Sequence, residues 1–163
     1  MSNGAASPDS RVRALRREDL ERIIAIDQAH AGISRRGFIE KRLTAAQARP
    51  EDFIFVGIER DGTLLGFALG RVLCGEFGQP EPTAVLDVIG VDSAHQEHGY
   101  GHSLMGGVLA AIRERGVREL HSQAEWTSHD LLKFFDSSGF TLAPRVVLER
   151  STSTGLIEKG ADI

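Results

Sequence analysis

The stretch VDSAHQEHGYGHSLMGG at residues 91–107 limits what this chain can fold into more than any other part of it. An apolar run, VLDVIGV, ends at Val91; beyond Gln96-Glu97-His98-Gly99-Tyr100-Gly101 a second pattern begins, with Leu104, Met105, Val108, Leu109 and Ile112 at helical spacing up to Gly116. Apolar residues repeating at three and four positions make one stripe of a helix, whereas a short aliphatic run bounded by turn residues makes a buried strand. The junction is therefore a strand-to-helix turn. Glycine at 99 and 101 removes the Cβ atoms that would hold a ligand away from the main chain, and the first N–H groups of a helix have no partner inside it. Together with the positive end of the helix dipole, these N–H groups make a cradle for an anion. A nucleotide P-loop would need Gly-Lys-Ser/Thr and a dinucleotide fingerprint a third glycine, and the segment has neither.

The remaining patterns supply a sheet around this turn. A short strand at 12–15 precedes a helix over 19–30, with Leu20, Ile23, Ile24 and Ile26 on one side. A second helix spans 34–48, carries Phe38, Ile39, Leu43 and Ala46, and is ended by Pro50. The β-rich runs 53–60 and 63–73 flank Asp61-Gly62, a strong hairpin signal because both central residues of such a turn need positive φ. A loop over 75–83, GEFGQPEPT, leads to a strand at 84–91, the glycine turn, and a helix over 101–115. A strand at 119–126, a helix at 130–137 and a strand at 145–150 follow. The order β-αα-β-β-β-α-β-α-β predicts an α/β fold around a mixed sheet, as one domain over 11–150 between mobile tails at 1–10 and 151–163.

At 163 residues the chain has the size of one ordinary domain. Its 19 Lys and Arg against 23 Asp and Glu leave a net charge of −4, which argues against a nucleic-acid partner, since that binding depends on basic side chains neutralising phosphates. No apolar run approaches the roughly 18 residues of a membrane span, and the first thirty residues hold none longer than Ile23-Ile24-Ala25-Ile26, so no membrane partner is expected. Cys74 is the single cysteine; it has no partner in the chain and fits a reducing cytoplasm. His95, His98 and His102 are spread over the turn rather than held at i, i+4 beside a carboxylate, so no metal site is expected.

At VLDVIGVDSAHQEHGYGHSLM and LLKFFDSSGF the chain resembles the GNAT superfamily of acetyl-CoA dependent N-acetyltransferases. The first segment looks like the family's Gln/Arg-x-x-Gly-x-Gly/Ala cofactor motif, the second like its later helix ending in Gly-Phe. The resemblance covers residues 11–150 and implies a mostly antiparallel mixed sheet, flanked by helices, whose strands splay at the CoA site. It further implies that main-chain groups near Ile89 and Val91 pair with pantetheine. The pyrophosphate would rest on the N–H groups of Gln96, Glu97, His98, Gly99, Tyr100, Gly101 and His102. The implied reaction is direct attack of a primary amine on acetyl-CoA in a ternary complex. The acceptor would be a small molecule, with a protein or peptide amine as the alternative and a non-catalytic CoA-binding module as the rival. A homodimer is a mild expectation from the same resemblance.

Asp87 is the sole ionisable residue in its strand; a carboxylate among aliphatic side chains is partly stripped of water, as suits a general base, and the equal alternative is an acid that pairs with an arginine or caps a neighbouring loop. Period-two alternation places His121, Gln123 and Glu125 on one face of the next strand, a face more often half exposed and solvated than turned to the acceptor cleft, with Glu125 as the second candidate base. The tyrosine that often protonates the leaving thiolate in the family aligns with Phe135, which has no proton to give, leaving Ser137 or water. Ser128 stands where asparagine is common. The resemblance puts Asp27, Arg35 and Arg36 in the region that borders the acceptor site, where the arginines could meet a substrate carboxylate; a solvated helix end is the commoner explanation for such a pair.

Overall fold

The computed structural model describes residues 9–153. Most of the two expected tails falls outside that range, and Ser10, assigned to the first of them, already belongs to a strand. Five strands, β1 (Ser10–Ala14), β2 (Phe53–Arg60), β3 (Thr63–Leu73), β4 (Thr83–Val91) and β5 (Leu120–Ser122), lie side by side in chain order. The first three pairings are antiparallel and that of β4 with β5 is parallel, giving the expected mixed, mostly antiparallel sheet. The turn between β2 and β3 sits at Asp61-Gly62, whose φ values of 50° and 74° have the positive sign that a tight hairpin demands.

Helices α1 (Leu20–Ala31) and α2 (Arg36–Ala48) cover one face of the sheet, where Ile23, Ile26 and Ile39 pack on Phe67 and Leu69. Helix α3 (Tyr100–Glu114) covers the other, setting Leu104, Val108 and Ile112 against Ile54, Val56 and Ala68. Each such large aliphatic side chain, fully buried, contributes about 1.5–3 kcal/mol. Helix α4 (His129–Ser137) adds Phe135 to the α3 side. Among the described residues no helix is long and apolar enough to cross a membrane.

Two expectations need correction. The strand predicted over 119–126 forms only at Leu120–Ser122, and the strand predicted over 145–150 does not form. Val146 and Leu148 are 81% and 87% exposed. Aliphatic residues favour a strand only where a neighbour covers them, and a β5 of 3 residues offers too short an edge. With β5 ending at Ser122, the polar face of His121, Gln123 and Glu125 does not form either.

Helix α3 reaches the sheet through Gly107. A Cβ there would stand 2.6 Å from Cγ1 of Val12 and 2.9 Å from Cγ1 of Val56, closer than real contacts allow. Gly107→Val should lower stability by about 1–3 kcal/mol through overpacking, read as a fall in urea midpoint at unchanged slope.

Candidate active site

The site begins with an irregularity in β4. Val88 pairs with Leu69 and Leu86 with Gly70, so Asp87 is an extra residue with no partner on β3. Such a bulge bends its strand and increases the local twist. The pairing of β4 with β5 stops at the same place, after Leu86↔Ser122. The Asp92 N–H donates to the Leu65 carbonyl at 2.8 Å. Since main-chain groups alternate along a strand, 90 and 88 also point to β3, while Ile89 and Val91 point toward the side that β5 has left. The Val91 carbonyl accepts from His30 Nε2 at 2.6 Å; beside it Ile89 lies on the open edge.

The segment after β4 is a chain of local locks. The Asp92 carboxylate accepts from the Ala94 N–H at 3.0 Å and from Arg22, so it ties the turn to α1. His98 Nδ1 donates to the Gln96 carbonyl at 2.6 Å. Glu97 at φ 64° and Gly99 at φ 76° reverse the backbone so that α3 can begin at Tyr100. Ser103 N–H is bonded back to the Gly99 carbonyl at 3.1 Å, so the N–H groups of Tyr100, Gly101 and His102 precede the first helical bond and face outward from the helix end. The Tyr100 side chain turns into the core: the residue is 1% exposed, and its hydroxyl accepts from Arg60 at 3.0 Å. A Cβ on Gly101 would stand 3.0 Å from the Phe134 ring, so glycine there lets α4 lie against the start of α3.

A cleft of about 190 Å³ lies where the two strands part, bounded by Asp87, Ile89, Ser122, Gln123, Phe135 and Arg35. Asp87 is held by Arg71, whose Nε and NH2 donate to its two oxygens at 2.8 Å each, with Arg42 3.5 Å away. Glu125 is not in the cleft wall. It sits exposed in the turn before α4, where its carbonyl accepts from the Ser128 N–H at 2.9 Å. Ser137 accepts from His102 Nε2 at 3.0 Å and donates its proton to the Phe134 carbonyl at 2.9 Å. Of the three residues expected beside the acceptor, Asp27 and Arg35 meet at the cleft in a two-point ion pair, with Asp27 2% exposed. Arg36 instead pairs with Glu21 and Glu40 on the outer surface. Arg42 and Arg71 were not singled out from the sequence. A signal existed for Arg42, two helical turns beyond Arg35, while the bulge hides the register that pairs Arg71 with Val85 and brings its side chain to Asp87 two residues along.

Comparison with known proteins gives this geometry a frame. The model of the acetyltransferase (GNAT) family matches residues 14–140. The chain belongs to the GNAT acetyltransferase family. Two curated relatives, mycothiol acetyltransferases of Thermobispora bispora and Thermomonospora curvata, are 31% and 32% identical over 83 residues. Those residues are 51% of this chain but 28% and 26% of the relatives, so the match spans under a third of their length. Among solved structures, an aminoglycoside N-acetyltransferase in complex with CoA superposes with a TM-score of 0.72 at 18% identity, covering 88% of this chain and 95% of the other. An aminoglycoside acetyltransferase from an uncultured soil metagenomic sample gives 0.70 at 20% identity, with 88% and 96% covered. The ribosomal-protein-alanine N-acetyltransferase of Brucella melitensis biovar Abortus 2308 gives 0.70 at 18% identity, with 87% and 99% covered. At such identities the likeness is one of fold.

In this GNAT chain the turn before the cradle depends on Asp92. The Ala94 N–H lowers its carboxyl below the usual range; burial opposes this, and Arg22 and His95 add to the lowering. A carboxyl lowered on folding stabilises the native state above its unfolded pKa, about 3.9. That contribution is lost as pH falls through the folded value. Asp92→Asn should therefore be less stable than wild type at neutral pH, with the gap closing below about pH 4, as measured by urea unfolding across pH.

Proposed function

We propose that this GNAT protein moves the acetyl group of acetyl-CoA to the primary amine of a small molecule by direct attack within a ternary complex. The observation that carries the reading is the continuity of three features: the open edge of β4 at Ile89, the backbone cradle over 96–102, and the cleft at Asp87 and Phe135. An elongated ligand with amides in its middle and a diphosphate at one end fits these in series. The edge offers unpaired main-chain groups to the amides of pantetheine. The N–H groups of Gln96, Glu97, His98, Gly99, Tyr100, Gly101 and His102 offer peptide dipoles to the diphosphate, which suits an acidic protein. Acetyl-CoA, when bound, supplies an activated acyl group on a good leaving thiol.

The residues of the cleft hold and orient the acceptor. Asp87, 12% exposed at its side chain, takes up the acceptor ammonium and receives its proton, directly or through a water. Arg71 uses one lone pair of each carboxylate oxygen and leaves others free. Glu125, exposed on the turn behind, is the second base to test. Neither Phe135 nor Ser137 has a proton to spare, so the thiolate formed on C–S cleavage is protonated by solvent. A small acceptor agrees with the size of the cleft and with the curated relatives, which are mycothiol acetyltransferases. That Phe135 and Ser137 supply no acid also supports a second reading, a module that binds CoA without turnover.

Release of free thiol from acetyl-CoA, followed with a panel of amines, separates the two. Binding of acetyl-CoA with no turnover on any amine would overturn the enzyme reading. Asp87→Asn should leave acetyl-CoA affinity within about twofold in calorimetry while lowering kcat by about 10²–10⁴. Phe135→Tyr should add an alkaline limb near pH 10 to the kcat profile, where the phenol loses its proton. Wild type should lack that limb.

A further inference from the structure

Guanidinium groups gather at the Asp87 end of the cleft, one in its wall and two behind the Asp87 carboxylate. Arg35, at the start of α2, lines the cleft, and its side chain is 39% exposed although it pairs with Asp27. Arg42, two turns along α2, reaches toward Asp87, and Arg71 comes to the same carboxylate from β3. The Phe38 ring spaces the first two: the Arg35 guanidinium lies 5.8 Å and that of Arg42 5.2 Å from its centroid. Stacking on an aromatic face holds a guanidinium in place while leaving its edge N–H groups for a ligand. Three cationic groups thus meet two carboxylates, Asp27 and Asp87. Glu76, which also acts on Arg71, stands exposed in solvent on the loop after β3 and is screened there.

The bonds are not shared evenly. Arg71 satisfies Asp87 with a two-point contact and Arg35 satisfies Asp27 in the same way. Arg42 has only a 3.5 Å contact with an oxygen that Arg71 already occupies. Its charge is the one left over. A group that completes this arrangement is an anion with two oxygens, placed next to a carboxylate that can take up an ammonium.

We propose that the acceptor is an aminocarboxylate, its carboxylate bound by Arg42 and the free edge of Arg35 and its amine directed to Asp87. This rests on the acetyl-transfer reading and names the acceptor class for that site. A polycationic amine would meet three guanidinium groups and be disfavoured. Arg42 is here a specificity-determining residue, and Asp27 a positioning residue that fixes Arg35.

The test compares matched acceptors that differ only at the acid group, 4-aminobenzoate against 4-aminobenzamide and glycine against glycinamide. The proposal expects kcat/KM to be at least about tenfold higher for the acid of at least one pair, as loss of a charge-assisted bond implies. Arg42→Gln should remove that preference, lowering kcat/KM for the acid by at least about tenfold more than for the matched amide, so that the ratio between the two approaches one. Arg42→Lys, which keeps the charge, should restore part of it. Equal or better use of the amides in both pairs, or of polyamines, overturns the proposal while leaving acetyl transfer intact. Should no amine turn over, thermal shift of the CoA-saturated protein with the same acids decides it. A shift seen with an acid and lost in Arg42→Gln supports the carboxylate site, and no shift with either acid overturns it.

Discussion

Everything about the site follows from the loss of one strand pairing. Inside a sheet, each main-chain N–H and C=O is committed to a neighbour, and none is left for a ligand. Here the extra residue at Asp87 bends β4, and β5 ends at Ser122, so the sheet opens along the last residues of β4. The open edge would be costly if buried without partners. At the surface of a cleft it becomes a hydrogen-bonding rail, aligned with the helix end that the same segment builds at Tyr100. The ladder from β1 to β4 and the packing of α3 through Gly107 hold that rail rigid.

The electrostatics divide along the same seam. On one side, the proposed cradle of peptide dipoles at 96–102 uses no basic side chain, so a net charge of −4 does not oppose a diphosphate ligand. On the α1 and α2 side, charged side chains are arranged as fixed pairs. Asp27 with Arg35 and Asp87 with Arg71 are each two-point contacts, a geometry that fixes direction as well as charge. Such pairs order the wall of the cleft, and the unbalanced Arg42 beside them gives it selectivity.

Much of the fold was legible in local patterns. The Asp61-Gly62 turn, the stripe of Leu104, Val108 and Ile112, and the glycine at 99 each state a local geometry that the structure shows, whereas Gly101, expected to clear the main chain for a ligand, makes room for the Phe134 ring. The misreadings fall where a local pattern needs a distant partner. Val146 and Leu148 have strand character, yet nothing covers them, and they stay exposed. Glu125 would face the cleft only if β5 continued, and it stops three residues earlier.

By itself the sequence determined the order of elements as far as α4 and the glycine turn that starts α3, because both rest on periodicities and backbone freedoms that operate within a few residues. The acceptor side was decided by tertiary structure alone. Arg35 and Arg36 are adjacent and chemically alike, yet one turns into the cleft to Asp27 and the other out to Glu21 and Glu40. Arg42 and Arg71, far apart in the chain, meet at Asp87 because a bulge sets that residue out of register and α2 packs across the sheet at that point. Ion pairs of this kind form between whichever charges the packing brings within a few ångströms, a distance that no spacing along the chain encodes.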